Sequence, residues 1–163
     1  MKKLTTIFLA AAAAFAVLPV FGQVKMKYQP DPVFGQDRIK KLHDAAPAKA
    51  AVAPAKPRKM LIFSRTSGFR HYGGIVAAKE VLKHMGEKLG VWETVISDDV
   101  NEFTPENLKK YDVVILNNPT AACFGPTNVE LDEMSKEEAK KAVQNSLQYC
   151  KNLIEYVKNG GGV

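Results

Sequence analysis

The amino-acid sequence predicts an α/β fold built on a three-layer parallel sheet. Three short apolar runs, at 60–63, 91–96 and 113–116, have the length and composition of strands that are covered on both faces. A segment with helical signals follows each run, so strands and helices alternate along the chain. This alternation favours right-handed crossovers between parallel strands.

The predicted helices carry start and stop signals. The first follows Gly73 and ends at Gly90, a residue type that tolerates the left-handed conformation common after a helix. A short second helix begins at 104–106, where threonine caps, proline fits the first helical position and glutamate favours the positive end of the dipole. Ser135 and Glu138 form a predicted capping box before the third and longest helix.

The longest helix has an apolar stripe, which predicts burial of one face. The stripe consists of Ala139, Ala142, Val143, Leu147, Cys150, Leu153, Ile154 and Val157. Because Cys150 belongs to it, we expect a buried thiol that behaves as a small hydrophobic side chain. A disulfide between Cys150 and Cys123 stays open, since the sequence does not fix the distance between them.

Residues 1–22 have the organisation of a secretory signal peptide. Two lysines precede an apolar run at 7–20, and the small residue Gly22 follows. The run is shorter than the ~20 residues that a membrane-spanning helix needs, so we expect cleavage rather than stable membrane insertion. The predicted location is secreted or periplasmic. Removal of the two lysines lowers the formal net charge from +6 to +4.

Residues 23–58 are predicted to be an N-terminal arm and linker. Nine Lys or Arg residues lie between 25 and 59 against three Asp, so the remaining mature chain is nearly neutral, which argues against nucleic-acid binding. The alternating Ala, Pro and Lys residues at 44–56 favour a semi-extended linker. Residues 24–43 either pack on the domain or order only in a complex.

The folded domain is predicted at 59–163. A fourth strand should begin after the last helix, yet the sequence stops at 160–163, in three glycines and a valine. We therefore expect an incomplete domain, with one sheet edge that more chain or a partner, including a second copy, would cover.

Candidate ligand-binding residues follow the predicted strands, because open parallel sheets bind ligands at the carboxyl ends of their strands. After the first strand, Thr66 offers a hydroxyl, Arg70 offers a planar guanidinium for a carboxylate, phosphate or sugar hydroxyls, and His71 offers a general base. Alternatively, Arg70 only ties its loop to an acidic neighbour. His84 is expected to be a surface histidine.

Asp98 follows the second predicted strand and Asn117 follows the third. Either can bind sugar hydroxyls, while the structural alternatives are a loop cap for Asp98 and a turn before Pro119 for Asn117. The three histidines lack zinc-ligand spacing, and no dinucleotide or nucleoside triphosphate motif occurs, so we expect neither a metal nor a cofactor.

Three motifs resemble one family. They are KMLIFSRTSGFRHYG at 59–73, FTPENLKKYDVVIL at 103–116 and the closing YVKNGGGV at 156–163. In this order they resemble the ThuA-like (trehalose-utilisation) family. The resemblance implies a flavodoxin-like sheet related to class I glutamine amidotransferases, and an association with sugar or glycan use.

The chain departs from that family's relatives in one respect. In the amidotransferases, a nucleophilic cysteine follows the strand that would begin at Val163, and its histidine partner comes later. Neither Cys123 nor Cys150 stands at that position. The resemblance therefore leaves open whether this chain alone is an enzyme.

Three functions remain as hypotheses. The first is an exported protein that binds or processes a small carbohydrate, with His71 as the catalytic residue and Thr66, Arg70, Asp98 and Asn117 as substrate-binding residues. The second is a non-catalytic interaction module, or an inactive fragment of a larger ThuA-like protein. The third is an FMN site in the hydroxyl-rich loop after the first strand.

Overall fold

The computed structural model describes residues 29–163, and the predicted signal peptide lies outside them. The fold is α/β, as predicted, with a three-stranded parallel sheet in these residues. The strands are β1 (Lys59–Phe63), β2 (Glu93–Ile96) and β3 (Val113–Leu116), in the spatial order β2-β1-β3. In register, Leu61 of β1 lies opposite Val95 of β2 and Val114 of β3.

Five helices surround this sheet in the described residues. They are α1 (Gln36–Asp44), α2 (Tyr72–Leu89), α3 (Pro105–Leu108), α4 (Asn128–Glu133) and α5 (Lys136–Lys158), and a 3₁₀ turn at Val100–Phe103 precedes α3. The predicted caps at Thr104 and Ser135 are confirmed. Of the helices present between residues 29 and 163, none combines the length and hydropathy that a membrane span requires.

The main core lies on one face of β1 and β3. It is a cluster of buried side chains from the sheet and the segments that follow it: Leu61, Phe63, Phe103, Leu108, Tyr111, Val114 and Phe124. Phe63 and Phe103 meet edge to face, with ring centroids 4.7 Å apart. Met60 and Ile62 alternate with these residues along β1 and are buried on the other face.

The second strand begins two residues later than the sequence predicted. The run 91–96 was expected to be a strand, but Trp92 turns back onto α2, where its Nε1 donates to the carbonyl of Leu82 at 3.2 Å. Gly86 makes room for the indole, because a Cβ there would lie 2.6 Å from Nε1 of Trp92. Trp92 therefore packs its side chain against α2 and lies outside the hydrogen-bonded part of β2.

The region predicted as arm and linker contains the unpredicted helix α1. Of the two alternatives for this region, packing on the domain holds for the described part: Phe34 is buried, and His43 stacks on His84 of α2 with ring centroids 3.9 Å apart. His84, expected to be a surface histidine, is half-buried, because α1 covers part of it. Residues 45–58 form neither helix nor strand.

Asp112 joins the end of this linker to the start of β3. Its carboxylate accepts hydrogen bonds from Arg58 at 2.8 Å and from the backbone N–H of Lys59 at 3.0 Å, and Lys56 lies 3.1 Å away. These donors lower the pKa of Asp112 to about 2. Beside β3, Gly162 forms a parallel bridge with Val113, where the sequence predicts a fourth strand.

The longest helix differs from its prediction in burial. None of the 23 residues of α5 is buried by the part of the chain that the structure describes. Leu153 of the stripe packs against the core together with Tyr149 and Tyr156, and Ala139 and Ala142 are half-buried, but the other five residues of the stripe are exposed. We call this exposed part the outer stripe: Val143, Leu147, Cys150, Ile154 and Val157. The expectation of a buried Cys150 was therefore wrong.

Candidate functional site

The loops after the three strands meet at the carboxyl edge of the sheet, as predicted. Ser64, the first residue after β1, connects them. Its backbone N–H donates to Oδ1 of Asp98 at 2.8 Å, and its hydroxyl accepts from Nδ2 of Asn117 at 3.1 Å. Ser64, Asp98 and Asn117, one residue from each of the three loops, therefore form a single hydrogen-bonded group. Ser64 is not among the sequence-predicted site residues.

Arg70 is held by an acidic residue of the N-terminal arm. Its Nε donates to Oδ1 of Asp31 at 3.0 Å, and its Nη2 donates to Oδ1 and Oδ2 at 2.8 and 3.0 Å. Its Nη1 donates to the carbonyl of Ser64 at 2.8 Å. The side chain is only 11% exposed, and Asp98 lies 3.9 Å away. Of the two predicted roles, this geometry displays the tie to an acidic neighbour.

Asp31 was not among the sequence-predicted site residues. Its carboxylate also accepts from Nζ of Lys79 at 3.3 Å. Partial burial alone would raise the pKa of Asp31, but hydrogen bonds and positive charge from Arg70 and Lys79 outweigh burial and lower it. Asp31 and Arg70 lie 39 residues apart in the sequence, so no local pattern could have paired them.

Thr66 lies inside the wall of the site rather than in an opening. Its hydroxyl donates to the carbonyl of Thr120 at 2.6 Å and accepts from the backbone N–H groups of Thr120 and Gly68, both at 3.2 Å. The residue is 2% exposed. Its hydroxyl therefore joins the loops after β1 and β3, and in this conformation it does not reach a ligand.

Asn117 has a similar structural position. Its Nδ2 donates to Ser64 and to the carbonyl of Ile75 at 3.1 Å, while its Oδ1 accepts from Asn118 at 2.8 Å. The residue is buried. Asn118 adopts a φ of 55°, in the left-handed region that asparagine tolerates. Both amide groups thus shape the turn after β3.

His71 and Phe69 remain open to solvent. His71 precedes α2 and is exposed. Its ring contacts Phe69 edge to face, with centroids 4.8 Å apart, and Phe69 is 62% exposed. An exposed aromatic ring beside an imidazole combines an apolar contact surface with a proton acceptor. The sequence reasoning selected His71 but gave no role to Phe69.

Phe69 lines a cleft of about 560 Å³ between the loops after β1 and β3. The cleft is lined by Ser67, Gly68, Phe69, Ala121, Ala122, Gly125, Pro126, Asn128, Leu131, Val143 and Ser146. Ala121 has a φ of 55°, which is strained for a residue with a Cβ. Strained backbone is often found at functional sites, so the conformation of Ala121 supports the cleft as a candidate binding site.

The far wall of the cleft is the unpredicted helix α4. A capping box of Thr127 and Glu130 marks the start of this helix. Arg65 holds this helix against the sheet, since its Nη2 donates to both oxygens of Glu130 at 3.0 and 2.7 Å. Partial burial would raise the pKa of Glu130, but bonds from Thr127 and Arg65 lower it overall. The wall formed by α4 is therefore anchored by Arg65, and the opposite wall is anchored by the bond between Thr66 and Thr120.

The described residues offer neither a metal-ligand cluster nor an activated cysteine at the site. Between residues 29 and 163, no three His, Cys, Asp or Glu side chains are grouped as metal ligands. Both cysteines are free thiols. Burial, together with the nearby Cys150, raises the pKa of Cys123, so its thiol stays protonated and a weak nucleophile.

Comparison of the chain with protein-family models, with curated proteins and with solved structures finds no match.

Proposed function

We propose that the chain is an exported, ThuA-like domain with a partial flavodoxin-like fold, and that it binds or processes a small carbohydrate at the cleft beside Phe69. The observation that carries this proposal is the exposed Phe69–His71 pair in the T-S-G-F-R-H loop, directly after β1 and at the edge of the 560 Å³ cleft. Ligands of open parallel sheets bind at this edge.

The chemistry of the cleft suits a sugar. The ring of Phe69 offers an apolar surface for the C–H face of a pyranose, while Ser67 carries a hydroxyl that can bond the sugar's own hydroxyls. His71 lies beside the ring, where its imidazole can accept a proton from a hydroxyl or a water. His71 is therefore the proposed catalytic residue.

The other predicted residues take supporting roles in this proposal. Thr66 and Asn117 fix the loops, because their polar atoms are bonded within the protein. Asp98 keeps 42% of its side chain exposed and lies near Arg70, so these two form a second polar area at the same edge.

The proposal is tested by titrating the purified chain with trehalose, maltose and cellobiose in a calorimeter or by NMR. We expect at least one disaccharide to bind, and Phe69→Ala and His71→Ala to weaken it about tenfold or more while the protein stays folded. Val33→Ala is the control, since Val33 is 97% exposed in the arm. Unchanged binding in both site variants, or no binding by the parent chain, would remove carbohydrate binding from this cleft.

A second candidate, a non-catalytic interaction module, is favoured by the outer stripe. Leu147 is 59% exposed and Ile154 is 54% exposed, which is unusual for large apolar side chains on one helix face. Sedimentation of the purified chain should then show self-association that Ile154→Lys abolishes. A monomer at all concentrations would count against a homo-oligomer.

The third hypothesis, an FMN site, is tested by adding FMN to the purified protein. It fails if the protein neither binds FMN nor quenches its fluorescence.

A further inference from the structure

The strongest unassigned feature is the pair of cations around Asp31. Arg70 and Lys79 both bond the same carboxylate, and the guanidinium does so through two nitrogens. Two positive charges on one carboxylate leave an excess charge of +1, which the Asp98 carboxylate offsets only from 3.9 Å. We call Arg70 and Lys79 the cradle.

Arg70 is positioned by contacts that do not involve Asp31, and Lys79 lies beside it on a partly buried helix face. Nη1 of Arg70 donates to the carbonyl of Ser64, and its guanidinium lies 5.7 Å from the ring centroid of Tyr72. Lys79 stands on α2, and its side chain is 17% exposed. Because the supports of Arg70 come from the folded domain, its guanidinium is held independently of the arm, and a preorganised fork binds an anion with little ordering.

The arm segment that carries Asp31 has no regular secondary structure and is held by side-chain contacts. Residues 29–35 form neither helix nor strand, and Asp31 itself is 29% exposed. On its N-terminal side, the N–H of Gln29 donates to the hydroxyl of Tyr72 at 2.7 Å. On its C-terminal side, Phe34 is buried under Arg38, whose guanidinium lies 3.7 Å from the ring centroid. Opening of segment 29–33 with Phe34 and α1 still docked would require breaking the hydrogen bonds of Asp31 and Gln29.

We propose that the cradle is a binding site for the carboxylate of an external ligand, and that Asp31 occupies it as an internal competitor. Only a ligand that displaces Asp31 from Arg70 and Lys79 can then bind. A tethered carboxylate is present at a high effective concentration, so an external carboxylate binds only as tightly as the open fraction of the arm allows.

The class of ligand follows from this site together with the proposed function. The cradle lies on the loop that also carries Phe69 and His71, so an acidic sugar such as a uronate could place its carboxylate on Arg70 and its ring near Phe69. That extension rests on the carbohydrate proposal. The carboxylate site itself does not, because it requires only Arg70, Lys79 and Asp31.

The experiment measures binding of three probes by the unchanged chain and by Asp31→Asn: acetate, D-glucuronate and D-glucose, at constant ionic strength. Asp31→Asn keeps the shape of the side chain and removes its charge. We expect it to bind acetate and glucuronate about tenfold or more tightly than the unchanged chain, because a charge-assisted competitor is gone. Asp37→Asn, the same change on α1, should leave both affinities unchanged.

The outcomes separate this proposal from the carbohydrate proposal. Equal gains for acetate and glucuronate support the cradle without the sugar site, whereas a larger gain for glucuronate supports both. No gain for either anion in folded Asp31→Asn, an equal gain in Asp37→Asn, or a gain that survives Arg70→Gln in the Asp31→Asn background would overturn the proposal.

A measurement on the unchanged chain covers the case in which Asp31→Asn does not fold. Saturating glucuronate should displace the arm and speed hydrogen exchange at the N–H of Gln29, which the hydroxyl of Tyr72 accepts in the closed arm. Chloride at the same ionic strength should not. Unchanged exchange at saturation would show that the arm does not compete, and the proposal would fall.

Discussion

Strand β1 and helix α5 both carry apolar residues that predict burial, but the structure buries only β1. Four of the five residues of β1 are buried, whereas none of the 23 residues of α5 is. β1 has β2 and β3 on either side, while α5 contacts the rest of the described chain through Tyr149, Leu153 and Tyr156. An apolar pattern thus specifies which face can be buried, but a partner on that face decides whether it is.

This difference also separates two kinds of stability. The core around β1 is stabilised by removal of apolar area from water, at roughly 25 cal/mol per Å². Helix α5 has a capping box at Ser135 and Glu138 and packs only part of its surface against the core, so less of its stability comes from burial. Substitutions in the two regions should therefore differ severalfold in their effect on the free energy of unfolding.

The largest effect is expected for Phe63→Ala. Phe63 is 1% exposed, and its ring contacts those of Phe103 and Phe124. Its removal should lower the free energy of unfolding by about 3–5 kcal/mol, as a buried cavity does. The measurement is urea unfolding followed by circular dichroism. Leu147→Ala on the outer stripe is the matched control, and a loss as large as that of Phe63→Ala would mean that α5 is covered in solution.

A smaller contrast is expected within α5 itself. Leu153 packs against the core, whereas its neighbour Ile154 is 54% exposed. Leu153→Ala should lower the free energy of unfolding by about 1–2 kcal/mol, in proportion to its partial burial, and Ile154→Ala by about 0.5 kcal/mol or less. Both are compared in the same urea titration at low protein concentration. If Ile154→Ala costs as much as Leu153→Ala, a partner covers the outer stripe.

The sequence predicted the elements whose signals are local. The apolar run of β1, the cap at Thr104 and the capping box at Ser135 are each complete within a few residues, and the structure confirms all three. The start of β2 was wrong because Trp92 found its partner on α2. Exposure of Cys150 was missed for the same physical reason, since burial depends on what packs against the stripe.

The candidate site was predictable only in position. That loops meet at the carboxyl edge follows from parallel topology, and Ser64 connects them there. Which side chains stay free does not follow from the sequence. The hydroxyl of Thr66 donates to Thr120, and the guanidinium of Arg70 donates to Asp31. Both contacts join segments that are distant in the sequence. Phe69 was overlooked because nothing in the sequence marks a phenylalanine as exposed.

A pH-dependent contribution of about 1 kcal/mol is expected from Asp112 at the start of β3. Its pKa is lowered to about 2 by Arg58, Lys59 and Lys56, compared with about 3.9 in an unfolded chain. Its contribution is therefore complete above about pH 4 and is lost as the pH falls toward 2. The contribution is smaller than the full pKa shift implies, because solvent reaches the carboxylate and screens it. Asp112→Asn should flatten this part of a pH–stability curve.

The control for this effect is Asp99→Asn, a change of the same kind at an exposed position. Asp99 caps the 3₁₀ turn by accepting from the N–H of Asn101 at 2.9 Å, which an asparagine oxygen can also accept. If both variants flatten the curve equally between pH 4 and 2, the effect belongs to net charge and not to the Asp112 group.

The smallest effect is expected at the exposed end of α5, for Lys158→Ala. Nζ of Lys158 lies 2.7 Å from Oε1 of Glu155, but the two side chains are 65% and 61% exposed. Water screens such a pair, so its loss should lower the free energy of unfolding by only about 0.3–0.5 kcal/mol. Urea unfolding in low salt and in 0.5 M salt, roughly a Debye length of 4 Å, checks the cause, because screening should remove most of the difference. A loss above about 1 kcal/mol that persists in salt would instead place Lys158 against a partner, and α5 would then resemble β1 in having a covered face.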